Sequence, residues 1–444
     1  MPLGVNTKEE VIKFVHEHDV EIVNLWFTDI LGRLKSIGIT RDTLETAIHE
    51  GVGFDGSSVE GFVRIYESDL VALPDAVTFE VLPWQVGGKS AGIMFCYTMN
   101  PDGSHYEGDP RFVLKRMVDR AAERGFCYNV GPELEYFYFR DCNEPSLLDV
   151  AGYFDVVPDD VGNELRQKTI FALQNVGIAV ECGHHEVAPS QQEIDLKYTD
   201  ALKMADQTML HRYVVKEMAK REGVYATFMP KPVANQNGSG MHVHQSLFLG
   251  EKNAFFDVNA PFHLSETGRR FLAGLLAHAR EIAAVTNQWV NSYKRLVPGF
   301  EAPVYISWGQ RNRSALVRVP MYKPGKEEST RLELRSPDPA CNPYFAFAVM
   351  LGAGLKGIDE NYHLPEPVEE DIYDMSAEQR MNNKIGSLPD SLYSAIQETE
   401  KSEVVRETLG EGVFQKFLRN KKVEWEEYCI QVTDYELQKY LPIL

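Results

Sequence analysis

The chain has 444 residues, 44% apolar and 25% charged, with a formal charge of −20 and a pI near 5.1. That length exceeds one ordinary core and points to two domains of a globular protein. The acidic balance argues against nucleic acid and anionic membrane surfaces as main partners, while a basic cluster inside a cleft would still admit an anionic substrate.

Along the chain, residues 9–18 read as a short amphipathic helix. Residues 20–27 and 34–39 alternate apolar and polar side chains around a turn at 29–33, which predicts a hairpin. A helix over 41–49 ends at Gly51. Further strands run to Met99, and Asn100-Pro101-Asp102-Gly103 makes a turn. Asp109 as N-cap, Pro110 at the first helical position and Gly125 as a stop frame a helix that opens the second domain. Strands are expected around 127–139, 178–196, 225–231 and 241–248. Helices are expected around 158–175, 199–222 and 264–286. Strand and loop fill 294–335, and helices dominate from 343 onward. No membrane span is expected, because the longest apolar run, 345–355, is too short and reads as a buried helix. No secretory leader is visible, and the six cysteines show no pairing pattern. They are expected to be reduced and mostly buried in a cytoplasmic protein. Residues 366–374 are acids broken by Pro367, most simply a solvated loop.

Three standard motifs fail on context. Gly51-x-Gly53-x-x-Gly56 follows a helix instead of a strand, so it is no dinucleotide loop. Gly88-Lys89-Ser90 lacks the first glycine of a P-loop, where Pro83 stands. His185-Glu186-x-x-Pro189 places a proline where a zincin helix needs its second histidine.

A different constellation survives. Glu133 and Glu135 stand two apart in Gly131-Pro132-Glu133-Leu134-Glu135, so on a strand they share one face. Two bare carboxylates side by side repel, and a cation between them removes that cost. The bland alternative is an exposed sheet face. Arg331-Leu332-Glu333-Leu334-Arg335 repeats the pattern, though alone it could be a structural ion-pair triad. Glu186 and Glu193 bracket a Pro-Ser turn. His242 and His244 share a strand face after the glycine-rich loop Asn237-Gly238-Ser239-Gly240. A carboxylate in an apolar stretch must be paired, protonated or cation-bound, and Mg²⁺ or Mn²⁺ would account for all six residues. Arg295, Arg313 and Arg318 suggest an anionic substrate.

These segments, with Phe54-Asp55-Gly56-Ser57-Ser58 and Lys294-Arg295-Leu296-Val297-Pro298-Gly299-Phe300-Glu301-Ala302-Pro303, closely resemble the type I glutamine synthetases. The resemblance runs from Phe27-Thr28-Asp29 to the C-terminal tail. It implies an α+β protein with an N-terminal β-grasp domain over 1–105 and a larger catalytic domain over 106–444 built on a curved antiparallel sheet. It also implies a dodecamer of two stacked hexameric rings with active sites between subunits.

By position, one metal falls to Glu135, Glu186 and Glu193, and the second to Glu133, His242 and Glu333. Glutamate is implied to lie against Asn237, Gly238, Arg295, Glu301 and Arg335. ATP is implied near Glu181, Tyr198, His244, Ser246, Arg313 and Arg318. Arg313 and Arg335 would neutralise charge on the moving phosphoryl group, and Asp55 with Glu301 would bind ammonium and take its proton. Arg64 matches an arginine linked to feedback by glutamine in the short subtype. Tyr373 lies near the tyrosine modified in the adenylylated subtype, but its surroundings differ and that subtype's extra segment is lacking. Residues 322–329 depart from a lysine-bearing segment near ATP, leaving Lys323 or Lys326 as substitutes. A γ-glutamyl ligase for a larger amine would lack the ammonium pocket, and a non-catalytic ring-forming regulator would have lost metal ligands. A regulatory side role, binding a transcription factor or a nitrogen-regulatory protein, is compatible with catalysis.

Overall fold

The fold is known from a computed structural model that describes residues 4–59, 69–156, 161–300 and 302–444. In residues 20–28, Val20 is buried, the register shifts between Val20 and Ile22, and Val23 and Leu25 then face inward. The chain then turns at 29–33 and returns, giving the expected hairpin with Trp26 opposite Ser36. The strand Ser90–Met99 pairs in parallel with Val20–Thr28 on its other side, with Trp26 opposite Phe95. Strands Asp69–Pro74, Val52–Asp55 and Glu80–Val81 complete a six-stranded mixed sheet. The helix Lys8–Glu17 covers it, started by a capping box between Thr7 and Glu10.

The second sheet has eleven strands, mostly antiparallel, and its centre is the 14-residue strand Phe126–Phe139. Met241–Leu249 lies on one side of it and Gln191–Leu196 on the other. Helices Pro110–Ala122, Ala201–Arg221 and Pro343–Asp359 pack behind. The last of these contains the apolar run 345–355, every residue of it buried. Asp109 caps the first as expected, its carboxylate accepting the Arg111 amide.

The structure departs from the expected elements and environments at four places. The helix expected over 264–286 is two helices, Glu266–Ala277 and Ala279–Thr286, because His278 leaves helical geometry at φ −100° and ψ 8°. The strand expected over 225–231 pairs only over Tyr225–Thr227, since Pro230 has no amide to donate and the Thr227 hydroxyl takes the Met229 amide. Of the cysteines, only Cys96 and Cys341 are buried; Cys127, Cys142, Cys182 and Cys429 are exposed, and all six are unpaired. The acidic stretch 366–374 is only partly solvated. Glu369 accepts the amides of Gln310 and Arg311, and Asn312 donates to the carbonyls of Val368 and Glu370.

The two sheets are joined by buried polar and apolar contacts. Trp26 meets Tyr213 edge to face at 4.9 Å. The turn 29–33 plugs into the larger domain: the side chain of Asn342 donates to the carbonyls of Asp29 and Ile30, and that of Gln288 to Leu31. Gly32 is required there, having φ +74° and a backbone so close to Asn342 that a Cβ would lie 2.8 Å from its Cα. Arg111 bridges the halves, donating at 2.8 Å to Asp75 and through two nitrogens to Asp206, which also accepts the Tyr344 hydroxyl at 2.6 Å.

Candidate active site

Strand register builds the site. On Phe126–Phe139, Leu134 and Tyr136 point into the core, which turns Glu133 and Glu135 to the other face. The neighbouring strand sets His242 opposite Glu133. Gln191–Leu196 sets Glu193 opposite Glu135, and Val180–His185 sets His184 opposite Glu193. Farther across the sheet, Glu333 on Leu332–Leu334 stands opposite His244, with Arg318 opposite Glu333. Residues as much as 109 positions apart, His242 and Glu133, thus meet as cross-strand neighbours.

The side chains form two adjoining clusters. In the first, His244 Nε2 lies 2.6 Å from Glu133 Oε1, and His242 Nδ1 lies 3.2 Å from Glu133 Oε2 and 3.6 Å from Glu333 Oε1. Arg318 and Arg335 both donate to the Glu333 carboxylate. Burial works against ionising Glu133, but the two imidazoles overcome it and hold this carboxyl well below the usual range. Glu333 is likewise lowered despite burial, by His244, His242 and Arg335.

In the second cluster, His184 lies 3.1 Å from Glu193 and 3.7 Å from Glu186. Glu135 accepts hydrogen bonds from the Gln191 side chain and the Gly240 amide. Burial, reinforced by the charge of Glu186, pushes Glu135 up to about 8. Burial and the neighbouring carboxylates Asp195, Glu135 and Glu186 raise Glu193 as well. The turn between Glu186 and Glu193 is fixed by Asp149, which accepts from the Ser190 amide and lies 3.1 Å from His185.

Both clusters open into one cleft of about 890 Å³. All six expected metal ligands line it, as do Asn237, Gly238, Arg295, Arg313, Arg318 and Arg335. Arg295 is buried and spends its guanidinium on the carbonyls of Arg335, Ser336 and Pro337. Gly238 and Gly240 pack so tightly that a Cβ would lie 2.3 Å from the Pro230 carbonyl or 2.5 Å from Arg295 Nη2. Asp55, Glu181, Tyr198, His244 and Ser246 do not line the cleft. Asp55 is exposed, accepting from Ser57. Tyr198 lies over Gly131, the residue opposite His244. Arg64 and Glu301 fall outside the described residues. Tyr373 is half-buried and bonded to the Ala302 carbonyl.

Sequence reasoning gave no role to His184, Gln191 or Glu369. Only His184 carried a signal, two residues before Glu186 in a strand-like stretch.

The donor sets suit hard or borderline divalent cations. Glu133, His244 and Glu333 can each offer one ligand atom, all within 4.8 Å of one another, and so can His184, Glu186 and Glu193. The raised carboxyls of the second cluster show what is wanted there, since a cation would relieve that repulsion.

A β-grasp sheet beside a curved sheet that carries two carboxylate–imidazole clusters and an arginine-lined cleft defines an enzyme of carboxylate and phosphate chemistry. Residues 19–101 match the family described as glutamine synthetase, beta-Grasp domain, and 107–440 that described as glutamine synthetase, catalytic domain. The chain is 53% identical over 442 residues to the glutamine synthetase of Mycobacterium tuberculosis and 48% over 440 residues to that of Thermotoga maritima. Each match covers 98% of this chain and 99% of the relative. A solved GmaS/ADP complex has a similar fold, with TM-score 0.88 and 30% identity over 97% of this chain and 99% of that one. So does Plasmodium falciparum glutamine synthetase, with TM-score 0.88 and 26% identity over 99% of both. The chain belongs to the glutamine synthetase family and is a glutamate–ammonia ligase. Among the described residues no helix is long and apolar enough to cross a membrane.

Proposed function

We propose that this cleft makes glutamine in two steps, phosphorylating the side-chain carboxylate of glutamate with ATP and then displacing the phosphate with ammonia. The observation that carries the reading is the meeting, in one cleft of a −20 chain, of six metal-ligand side chains and five arginines. Glu135, Glu186 and Glu193 would hold one Mg²⁺ or Mn²⁺ ion, and Glu133, His242 and Glu333 the other, with His184 and His244 close behind. Bound there, the ions supply charge neutralisation at phosphoryl oxygens.

The chain's own residues do the rest. Arg295 and Arg335, beside Asn237 and Gly238, orient glutamate. Arg313 and Arg335 face the charge that develops as the γ-phosphoryl moves from ATP to the carboxylate oxygen and ADP leaves. Tyr198, His244, Ser246, Glu181 and Arg318 are assigned to the nucleotide. Asp55 takes a proton from ammonium, the freed ammonia attacks the acyl carbon, and phosphate leaves. Glu301 shields the acyl phosphate from water.

Asp55 is exposed and absent from its own chain's cleft, which supports its delivery by a neighbouring subunit in a double hexameric ring. We assign the chain to the short, cytoplasmic, feedback-regulated subtype, with Arg64 as the regulatory residue. The test is ATP-dependent phosphate release with glutamate and either ammonium or larger amines, for wild type and Asp55→Ala. Release that requires ammonium and collapses in the variant is expected. Release only with larger amines would make it a different γ-glutamyl ligase, and no release from a folded assembly would make it a scaffold.

A further inference from the structure

A second cavity, of about 770 Å³, opens where the turn at 29–33 meets the larger domain. It is separate from the catalytic cleft and shares none of its lining residues. Its walls are largely apolar: Leu31 from the hairpin turn, Met209 and Tyr213 from the helix Ala201–Arg221, then Phe228 and Trp289. Such walls suit a flat hydrocarbon or aromatic body.

The charge of the lining runs against the rest of the molecule. Four cations, Arg33, Arg212, Lys216 and Lys294, face one acid, Glu424. That acid is already committed, accepting from Lys421 Nζ at 2.6 Å and from the Val290 amide. Arg212 is more than nine-tenths buried. Its Nη2 donates to the Cys341 carbonyl at 2.8 Å, while its Nε–H is buried without an acceptor. One helical turn on, Lys216 rests 5.7 Å from the centre of the Phe228 ring, and burial together with Arg212 lowers its ammonium pKa. A buried guanidinium donor without an acceptor beside a desolvated ammonium is costly unless an anion completes it.

We propose that this cavity binds an amphipathic organic carboxylate, with its apolar body against Phe228 and Trp289 and its carboxylate between Arg212 and Lys216. The site is independent of the catalytic assignment. Its walls come from both domains, so occupancy stabilises their junction.

The test uses the full-length assembled enzyme, with indole-3-acetate as probe and indole-3-acetamide as its neutral match, followed by calorimetry. Losing a charge-assisted contact should weaken binding about tenfold, for the amide and again for Lys216→Gln. Lys216→Gln should keep wild-type turnover, which shows that it folds. Arg318→Gln, in the catalytic cleft, should leave binding unchanged. Equal binding of acid and amide, no binding of the acid, or weakening by Arg318→Gln instead of Lys216→Gln would each overturn the proposal.

Discussion

The two clusters of the active site use the same residue types to opposite electrostatic ends. Around Glu133 and Glu333, two histidines and two arginines compensate the carboxylates, which stay ionised although buried. Around Glu135 and Glu193, carboxylates face carboxylates and protons are retained. One half of the site is therefore assembled before any cation arrives, and the other needs a cation to become a set of carboxylates. Burial alone does not decide the state of a carboxyl; the sign of its nearest neighbours does.

The contrast can be broken most forcefully by removing one carboxylate from each half. Glu333→Ala and Glu193→Gln should each lower kcat/KM by about 100-fold or more. Their stabilities should diverge when unfolding by urea is followed in the presence of a chelator. Glu333→Ala strands Arg318 and Arg335 and should cost about 3 kcal/mol, whereas Glu193→Gln relieves repulsion and should leave stability equal or higher. Equal destabilisation by both would erase the distinction. Gly240→Ala strikes the seam between the halves, because the added carbon would lie 3.1 Å from His242 and 3.2 Å from Glu135. A shift of about 1 Å there should cost about 100-fold in kcat with the fold retained by circular dichroism.

A finer test is the pH dependence of cation binding. Glu135, raised to about 8, must lose its proton to become a ligand. Because Glu193 is raised as well, apparent affinity at that half should rise at least tenfold per pH unit up to about pH 8, with proton release seen by calorimetry in two buffers. The half around Glu133 should show a flat profile over the same range, since its carboxyls are ionised and burial keeps His242 below its ordinary value. The smallest effect is expected from Glu369→Gln, which loosens the loop bearing Arg311 and Arg313. A loss of about 1 kcal/mol should raise KM for ATP about fivefold while both metal affinities stay constant.

Much of this site was legible because strands write their faces into sequence. Glu133 and Glu135 shared a face as their two-residue spacing required, and Leu134 and Tyr136 went to the core. Asp109-Pro110 marked the start of a helix for an equally local reason. What stayed hidden depends on partners far away in the chain. No spacing rule says that His184 stands opposite Glu193, or that acids expected in solvent would tie down residues 310–312. The break at His278 was invisible for another reason, since apolar periodicity continues across a single non-helical residue.

The bridge from Arg111 to Asp75 and Asp206, together with the plug at 29–33, bears on how the protein can be taken apart. Neither half carries a finished surface of its own: severed, the smaller would bare Trp26 and the larger an arginine lacking one of its counter-charges. The two domains are therefore expected to melt as one cooperative unit, and an exchange of N-terminal domains between relatives should succeed only when the plug, its socket and the acids around Arg111 travel as a set.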